Sequence, residues 1–386
     1  MVNIAFIVGK MTDTYPTKYT SKKAPKWLKK GAVEFEDFVE DEDHEVPSDV
    51  AMAMYLSNKH PKDDITCFNG YEVTKSDLDD FDVVFVIYDP IEVFHCGGKE
   101  RTCPKNSQKM ERALKNTSAF VYPYPDFHKY IIVKPSYYAD LKRAGIPVGP
   151  FFKVTPQHVL KNVSAFRKRV ENKGWEGVIV KPSYSGYSLG IKVFKNFDRT
   201  NDTTIKKVFT TLKKYGFPNA TIQEFIPSFG SHFEIRTYWI NEKYAYSVGT
   251  LTEAVGKDSR GLPISDEDTF VSEGGKIPDK IKRKLLPLGR NVLKAIRQYP
   301  YTHPMVRIDF GCCVNPVGDC NETYFVNEVE TMAANMLAPD TDYPVVEKVA
   351  NAAYNFAKKV KGKPKPKGKK STFKVKKGVC IKPDRS

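Results

Sequence analysis

The sequence lacks any apolar run that approaches the length of a membrane-spanning helix, which argues against a protein anchored in a membrane by helices. The short apolar stretch from Val2 to Val8 has no basic leader before it, so we interpret it as a first strand and not as a signal peptide. The seven cysteines are an odd number and fit no common zinc-ligand spacing. Together these absences indicate a reducing, cytoplasmic compartment.

The composition is that of a globular protein, with 41% hydrophobic and 12% aromatic residues. A chain of 386 residues suits one large multi-lobed enzyme or two to three domains. The formal net charge is +15, and its placement is uneven. The segment from Lys358 to Ser386 holds 13 Lys or Arg and one acid, which accounts for +12 and leaves +3 for the rest. The positive charge therefore belongs mainly to a C-terminal tail.

The first 150 residues alternate apolar runs with helical patterns, which predicts a mainly parallel α/β sheet. A helix is expected from Ser48 to Asn58, with Ser48 as its N-cap. The polar stretch from Gly9 to Pro47 is interpreted as a solvated loop or as part of a substrate lid. Strands are expected at Asn3–Val8, Ile65–Phe68, Val83–Tyr88 and Ala119–Tyr122.

Beyond residue 150 the pattern predicts helices at Pro156–Glu171, at Thr203–Lys214 and from Pro344 to Val360. The expected strands are Phe151–Val154, Gly177–Lys181, Ala220–Ile226, Phe233–Ile240, Lys243–Gly249, Met305–Phe310 and Thr323–Glu330.

A lysine leaves one of these strands at a turn rich in serine and glycine, between Lys181 and Gly190. Backbone N–H groups and hydroxyls in such a loop can donate to phosphate oxygens, and the ammonium supplies a point charge. Strands that end in Lys-Pro and loops with Ser and Gly are common, so this pattern alone is a weak indication of phosphate binding.

Two later strands, joined by a turn rich in Cys, Pro, Gly and Asp, carry a set of acids. Alternation places Arg307 and Asp309 on one face of the first strand and Glu328 and Glu330 on one face of the second. Both strands are otherwise apolar, and acids on half-buried strands need partners. Three carboxylates that converge across a hairpin suit Mg²⁺ carrying nucleotide phosphates. An exposed acidic strand pair is the simpler alternative.

Ordered motifs between about Tyr122 and Met336 resemble the ATP-grasp enzymes, in particular the D-alanine–D-alanine ligases and the ribosomal-protein glutamate ligases. Each motif is weak alone, whereas their order and spacing are specific. The motifs are Ile132–Lys134 with Leu141–Val148, Val178–Ser183, Thr221–Ile226, Phe233–Arg236, Arg307–Asp309 and Asn327–Glu330.

The resemblance implies an α/β ATP-grasp fold with α+β lobes behind an N-terminal parallel α/β domain. The implied limits are 1–122, 123–240 and 241–360, followed by a basic tail at 361–386. The implied cofactors are ATP and Mg²⁺, or Mn²⁺ in its place. Arg307 is implied to stabilise an oxyanion. The implied metal ligands are Asp309, Glu328 and Glu330. Nucleotide contacts are implied for Lys134, Lys181, Ser183, Ser185, Gly186, Ser188, Gln223, Glu224, Phe225, Ile226, Glu234 and Lys276.

The implied reaction joins a carboxylate to an amine through an acyl phosphate, giving ADP and phosphate, with small molecules or peptides as substrates. Family members are monomers or homodimers. Two alternatives stay open. One is an ATP-grasp kinase that phosphorylates a hydroxyl of a small polyanionic molecule, for which the stretch Lys18–Lys30 would supply a basic pocket. The other is a non-catalytic nucleotide-binding module.

The sequence departs from the family pattern at its last metal ligand, which is usually an asparagine and is Glu330 here. A third full charge should hold Mg²⁺ more tightly but repel an acidic substrate. The following segment, Thr331–Met336, lacks the usual Ser-Pro-Gly, so recognition of the acceptor cannot be inferred. The basic tail is expected to be disordered and to contact polyanions without specificity.

Overall fold

The computed structural model describes residues 1–8, 15, 17–39, 42–70, 72–86, 103–183, 190–226, 234–251, 254–257, 263–265, 269–270, 279–297, 301–313, 323–331 and 343–365. The N-terminal unit contains a four-stranded sheet in the order β2-β1-β3-β4, and its neighbouring strands are parallel, as expected. Its elements are β1 (Ile4–Val8), α1 (Lys26–Glu34), α2 (Ser48–Lys59), β2 (Ile65–Asn69), α3 (Lys75–Asp79), β3 (Val83–Val86), α4 (Cys103–Asn116) and β4 (Phe120–Tyr122).

Both faces of this sheet are buried, because successive residues of β1 enter two different cores. Ile4 and Phe6 pack toward α2, whereas Ala5 and Ile7 pack toward α4. A parallel sheet covered on both faces has strands that are apolar throughout, and all five residues of β1 are buried. This explains why its strands are easy to recognise in the sequence.

Two expectations for this unit are wrong. The stretch expected as a loop, Gly9–Pro47, contains α1, whose Leu28 and Ala32 are four residues apart and buried on one face. The lysines around them hide this short apolar face in the sequence. Ser48 is also not the N-cap of α2: Pro47 holds that position, and the Ser48 hydroxyl is buried without a hydrogen-bond partner.

The second unit, which we call the small lobe, is a sheet in the order β5-β8-β6-β7 with helices on one face. Val178, Val180 and Ile222 point from the sheet into the core beneath these helices. The opposite face is turned toward the rest of the protein. Two helices precede this lobe in the chain, α5 (Pro125–Ile132) and α6 (Lys134–Arg143), and they share a core with the third unit. The elements of the small lobe are β5 (Phe151–Val154), α7 (Pro156–Lys161), α8 (Val163–Glu171), β6 (Val178–Pro182), β7 (Lys192–Phe194), α9 (Asp202–Lys214) and β8 (Ala220–Glu224).

The single helix expected at Pro156–Glu171 is two helices, α7 and α8. Asn162 interrupts it, and its side-chain oxygen accepts a hydrogen bond of 2.9 Å from the backbone N–H of Ala165. Asparagine offers the backbone this alternative to a continuous helix, so the break has a local cause.

The third unit contains a sheet in the order β13-β10-β9-β14-β15, and all its neighbouring strands are antiparallel. The strand pair expected to carry the acids is present as β14 and β15. The elements are β9 (Glu234–Ile240), β10 (Lys243–Leu251), β11 (Ala254–Lys257), β12 (Pro263–Ser265), β13 (Thr269–Phe270), α10 (Asp279–Ile296), β14 (Met305–Cys313), β15 (Thr323–Thr331) and α11 (Val345–Val360).

The helix α10 was not expected from the sequence, since Pro287 and Gly289 lower its helix propensity. It packs on one face of the large sheet, and Gly289 is required there. A Cβ at this position would lie 2.2 Å from Cζ2 of Trp239. The last helix, α11, turns back to the N-terminal unit, where Val349 and Ala353 share a core with α2. In the described part of the chain, no helix is both long and apolar enough to cross a membrane.

Candidate active site in the cleft between two sheets

The small lobe and the large sheet face each other across a cleft, and Lys181 connects them. Val178 and Val180 of β6 enter the helical core, so alternation turns Lys181 the other way. Its ammonium donates a hydrogen bond of 2.9 Å to the side-chain oxygen of Asn327 on β15. The two lobes therefore contact each other through a buried polar pair at the predicted phosphate lysine.

A β-bulge places Asn327 in this cleft. In the β14–β15 ladder Asp309 is paired with Glu328 and Phe310 with Val326, which leaves Asn327 as the extra residue of β15. Strict alternation would turn Asn327 away from Glu328. Instead its amide contacts Lys181 and donates a hydrogen bond to the carboxylate of Glu234 on β9. This role of Asn327 was not expected, because a bulge has no clear signal in an apolar strand.

Burial determines the protonation of Lys181, which is 8% exposed. The pKa of Lys181 is lowered to about 7, chiefly by removal from water and also by the positive charge of Lys134, while Glu234 and Asp309 act in the opposite direction. Glu234 is also buried. Burial and the nearby charge of Asp309 raise its pKa, against the effects of Arg236 and Asn327. A cluster with such perturbed groups is a candidate functional site.

Arg307 lies between two carboxylates. Its Nε is 2.9 Å from Oδ1 of Asp309, and its Nη2 is 2.9 Å from Oδ2 of the same residue. The same Nη2 lies 3.0 Å from Oε2 of Glu330. Burial opposes the charge of this guanidinium, but Asp309 and Glu330 outweigh that effect and raise its pKa further. The cation is therefore fixed in place and permanently charged.

Lys134, the first residue of α6, forms an ion pair with Glu328. Its helix is fastened to β15 by two tyrosines. The Tyr138 hydroxyl donates to the backbone carbonyl of Asn327, and the Tyr137 hydroxyl oxygen accepts a bond of 3.2 Å from the backbone N–H of Val329. The predicted first nucleotide lysine and the predicted metal carboxylate are thus held together by the packing of α6 on β15.

One pair of carboxylates, those of Asp309 and Glu328, fits a hard divalent cation. Asp309 and Glu328 are directly opposite each other, and cross-strand side chains at such positions are neighbours. Glu330 is opposite Arg307, at the next position on the same face. In the described ranges no group of three or more His, Cys, Asp or Glu side chains is placed to hold a metal. The carboxylate oxygens of Asp309 and Glu328 are those that suit Mg²⁺.

Unpaired polar atoms on β8 fit a ligand with hydrogen-bonding groups. Thr221 and Gln223 alternate with core residues of β8 and therefore lie on the cleft face, where Thr221 is paired with Lys181. Both are buried, and Oγ1 of Thr221 and Oε1 of Gln223 have no hydrogen-bond partner. Buried polar groups normally have hydrogen-bond partners, so a ligand such as a nucleotide would supply the partners that these two oxygens need.

Of the remaining residues predicted to bind the nucleotide, some have contacts in the structure and others lie outside the described ranges. Ser183 donates its hydroxyl proton to the side-chain oxygen of Asn219. At the expected hinge, the backbone N–H of Glu224 donates to the carbonyl oxygen of Pro150 at 3.1 Å, and that of Phe225 donates to the carbonyl oxygen of Gly177 at 3.0 Å. Ile226 is half-buried. Residues Ser185, Gly186, Ser188 and Lys276 lie outside the described residues.

The basic stretch considered for a kinase pocket lies on the N-terminal unit. All of its lysines are exposed, which is the arrangement of a solvated face. They are Lys18, Lys22, Lys23, Lys26, Lys29 and Lys30.

No protein-family model matches the chain, and no curated protein matches it by sequence. Solved structures do match. D-cycloserine synthetase DcsG has a TM-score of 0.58 at 13% identity, covering 93% of this chain and 100% of that one. The D-alanine–D-alanine ligase of Bacillus anthracis has a TM-score of 0.56 at 14% identity, with 94% and 99% covered. The ATP-grasp ligase PsnB with its minimal precursor has a TM-score of 0.50 at 12% identity, with 92% and 98% covered.

These matches define the fold, which is the ATP-grasp fold behind a parallel α/β unit. The resemblance inferred from the motifs is confirmed at this level. At such identities the likeness concerns the fold, and the site must be argued from its own residues.

Proposed function

We propose that the protein is an ATP-dependent ligase that joins a carboxylate to an amine through an acyl phosphate, releasing ADP and phosphate. The observation that supports this most directly is the cluster that spans the cleft, in which Lys181 of the small lobe meets Asn327, Glu234 and Asp309 of the large sheet. Buried charges of both signs between two lobes can bind phosphates and balance the charge that develops during phosphoryl transfer.

Each residue of the cluster has a distinct role in this proposal. The ammonium groups of Lys134 and Lys181 bind the phosphates of ATP as point charges. The substrate carboxylate attacks the γ-phosphate, ADP leaves, and the carbonyl carbon becomes activated for attack by the amine. Arg307, fixed by Asp309 and Glu330, then stabilises the oxyanion on that carbon. Phosphate leaves as the amide forms, and the amine gives up a proton.

Mg²⁺, or Mn²⁺ in its place, would be held by Asp309 and Glu328 and would supply charge neutralisation at the phosphates. Thr221 and Gln223 would contact the nucleotide with the buried oxygens that are unpaired here. The proposal also includes the other nucleotide-binding residues expected from the sequence. It places domain boundaries at residues 122, 240 and 360, and it places the protein in the cytoplasm. The acids and amines are small molecules or peptides.

Hydroxylamine trapping tests the reaction. The protein is incubated with ATP, Mg²⁺, hydroxylamine and mixtures of amino acids, small peptides or sugar acids, and mass spectrometry follows ADP, AMP and hydroxamates. We expect ADP together with the hydroxamate of one acid, and neither product when ATP is omitted. AMP and pyrophosphate would contradict the acyl phosphate. ADP with a phosphorylated hydroxyl compound would instead identify a kinase, and no turnover would leave only nucleotide binding.

A further inference from the structure

The carboxylate of Glu330 contacts a cation and not the other acids of the site. Glu330 is directly opposite Arg307 in the β14–β15 ladder, and its Oε2 lies 3.0 Å from Nη2 of Arg307. Asp309 contacts the same guanidinium from β14 itself, with Nε–Oδ1 and Nη2–Oδ2 distances of 2.9 Å. Arg307 is only 5% exposed, so the charges of this group are largely removed from water.

The strand register places Glu330 opposite Arg307, one position along the same face from the pair of acids that suits a metal, although Glu330 and Asp309 contact the same Nη2 of Arg307. Asp309 is opposite Glu328, whereas Glu330 is two residues further along β15, about 7 Å along a strand. Ligands of Mg²⁺ lie about 2 Å from the ion, so their oxygens must come close to one another. The two paired carboxylates can meet this requirement across the ladder. The described side chains form no group of three metal-binding residues that includes Glu330.

We propose that Glu330 is a positioning residue, which together with Asp309 fixes the guanidinium of Arg307, and that the metal is held by Asp309 and Glu328. This inference rests on the proposed function. It explains why a glutamate can stand where ATP-grasp ligases usually have asparagine. An asparagine is shorter by one methylene and uncharged, so it could not make this ion pair with Arg307.

A double-mutant cycle without nucleotide tests the contact. Thermal unfolding is measured for Arg307→Met, Glu330→Gln and the double variant. Because the residues form one ion pair, buried on the Arg307 side and half-buried on the Glu330 side, we expect the double variant to unfold no earlier than the less stable single variant. The control cycle combines Arg307→Met with Glu171→Gln, at an exposed position on α8, and there the shifts should add. Additive shifts for Arg307 and Glu330 would overturn the proposal.

Metal binding tests the second part of the proposal, that Asp309 and Glu328 hold the metal without Glu330. Mn²⁺ is titrated into the protein with a non-hydrolysable ATP analogue, and free Mn²⁺ is followed by electron paramagnetic resonance. Glu330→Gln should keep the Mn²⁺ dissociation constant within about twofold, whereas Glu328→Gln should weaken binding at least tenfold. The two fold-changes differ because Glu328→Gln removes a proposed metal ligand and Glu330→Gln removes none. Equal weakening in both variants would make Glu330 a ligand and overturn the assignment.

A third measurement separates positioning from simple stability. Side-chain nitrogen NMR follows the exchange of the Arg307 guanidinium protons, assigned by their loss in Arg307→Met. Exchange should be faster in Glu330→Gln and unchanged in Glu328→Gln, since Glu330 holds Nη2 from β15. Unchanged exchange in Glu330→Gln would overturn the proposal. If the wild-type protein binds no Mn²⁺–nucleotide complex, the proposed function fails, while the cycle and the exchange data still decide the contact.

Discussion

Replacing Lys181 by methionine should make the protein more stable at low pH while weakening nucleotide binding. The pKa of this lysine is lowered from 10.5 to about 7, chiefly by burial. A shift of about 3.5 units corresponds to about 5 kcal/mol, the cost of keeping the buried amine protonated below pH 7. Methionine removes that cost, but it leaves the side-chain oxygen of Asn327 without its donor, which costs about 1–3 kcal/mol. The net gain in unfolding free energy at pH 6 is about 2–4 kcal/mol.

The pH dependence gives the sign of the effect. Between pH 7 and 10.5 the unfolded chain keeps the lysine proton and the folded protein has lost it. The unfolded state therefore binds more protons, and wild-type stability rises with pH in this window. The variant lacks this contribution. Its advantage should consequently shrink by about 2–3 kcal/mol between pH 7 and pH 9.

Urea unfolding of both proteins at pH 6, 7, 8 and 9 measures this effect. Lys168→Met, at an exposed position on α8 of the same lobe, is the matched control and should show no such trend. Calorimetry with a non-hydrolysable ATP analogue should show binding to Lys181→Met weakened by about 1.5–3 kcal/mol, or roughly 10- to 150-fold. A variant that is less stable than wild type by the same amount at pH 6 and pH 9 would refute the reasoning. Glu234 and Asp309 would then fully offset the burial of the charge.

Two further predictions concern the metal site and the tail. Asp309→Asn should weaken binding of Mn²⁺ with an ATP analogue at least tenfold and lower the unfolding temperature, because Arg307 loses a buried carboxylate partner. Asp198→Asn, at an exposed position, is the control, and wild-type metal binding in Asp309→Asn would contradict the site. Deleting residues 366–386 should leave nucleotide binding within a few-fold and abolish salt-sensitive binding to heparin, because these residues hold much of the basic charge. Misfolding of the truncated protein would show that the tail is structural.

The sequence was sufficient where the local pattern of apolar and polar residues in a strand decides the outcome. The parallel N-terminal sheet followed from apolar runs such as Ile4–Val8, which is buried along its whole length. The pairing of the strand with Arg307 and Asp309 to the strand with Glu328 and Glu330 also followed, because the register keeps these side chains on one face. The first result depends on continuous apolar runs and the second on a period of two, and both patterns are visible in one sequence.

The sequence was insufficient where contacts between distant segments decide the outcome. The helix α10 contains Pro287 and Gly289, and only its packing against Trp239 shows why glycine is needed there. The bulge at Asn327 changes which side chains enter the cleft, and it is defined by the pairing of β15 with β14. The partners of Glu330 likewise depend on register, which the sequence does not show.

The ion pairs of the site explain how so many charges can be buried between two sheets. A buried charge is costly unless it is paired, and four basic side chains of the site lie beside four acidic ones. Lys134 is paired with Glu328. A phosphate that binds Lys134 replaces Glu328 as its partner, and a divalent cation that binds Glu328 replaces Lys134. If only one of them bound, the other half would be left as a desolvated charge. In the proposed reaction, the contact between Lys134 and Glu328 therefore couples the binding of metal and nucleotide. The cations are Lys134, Lys181, Arg236 and Arg307, and the anions are Glu234, Asp309, Glu328 and Glu330.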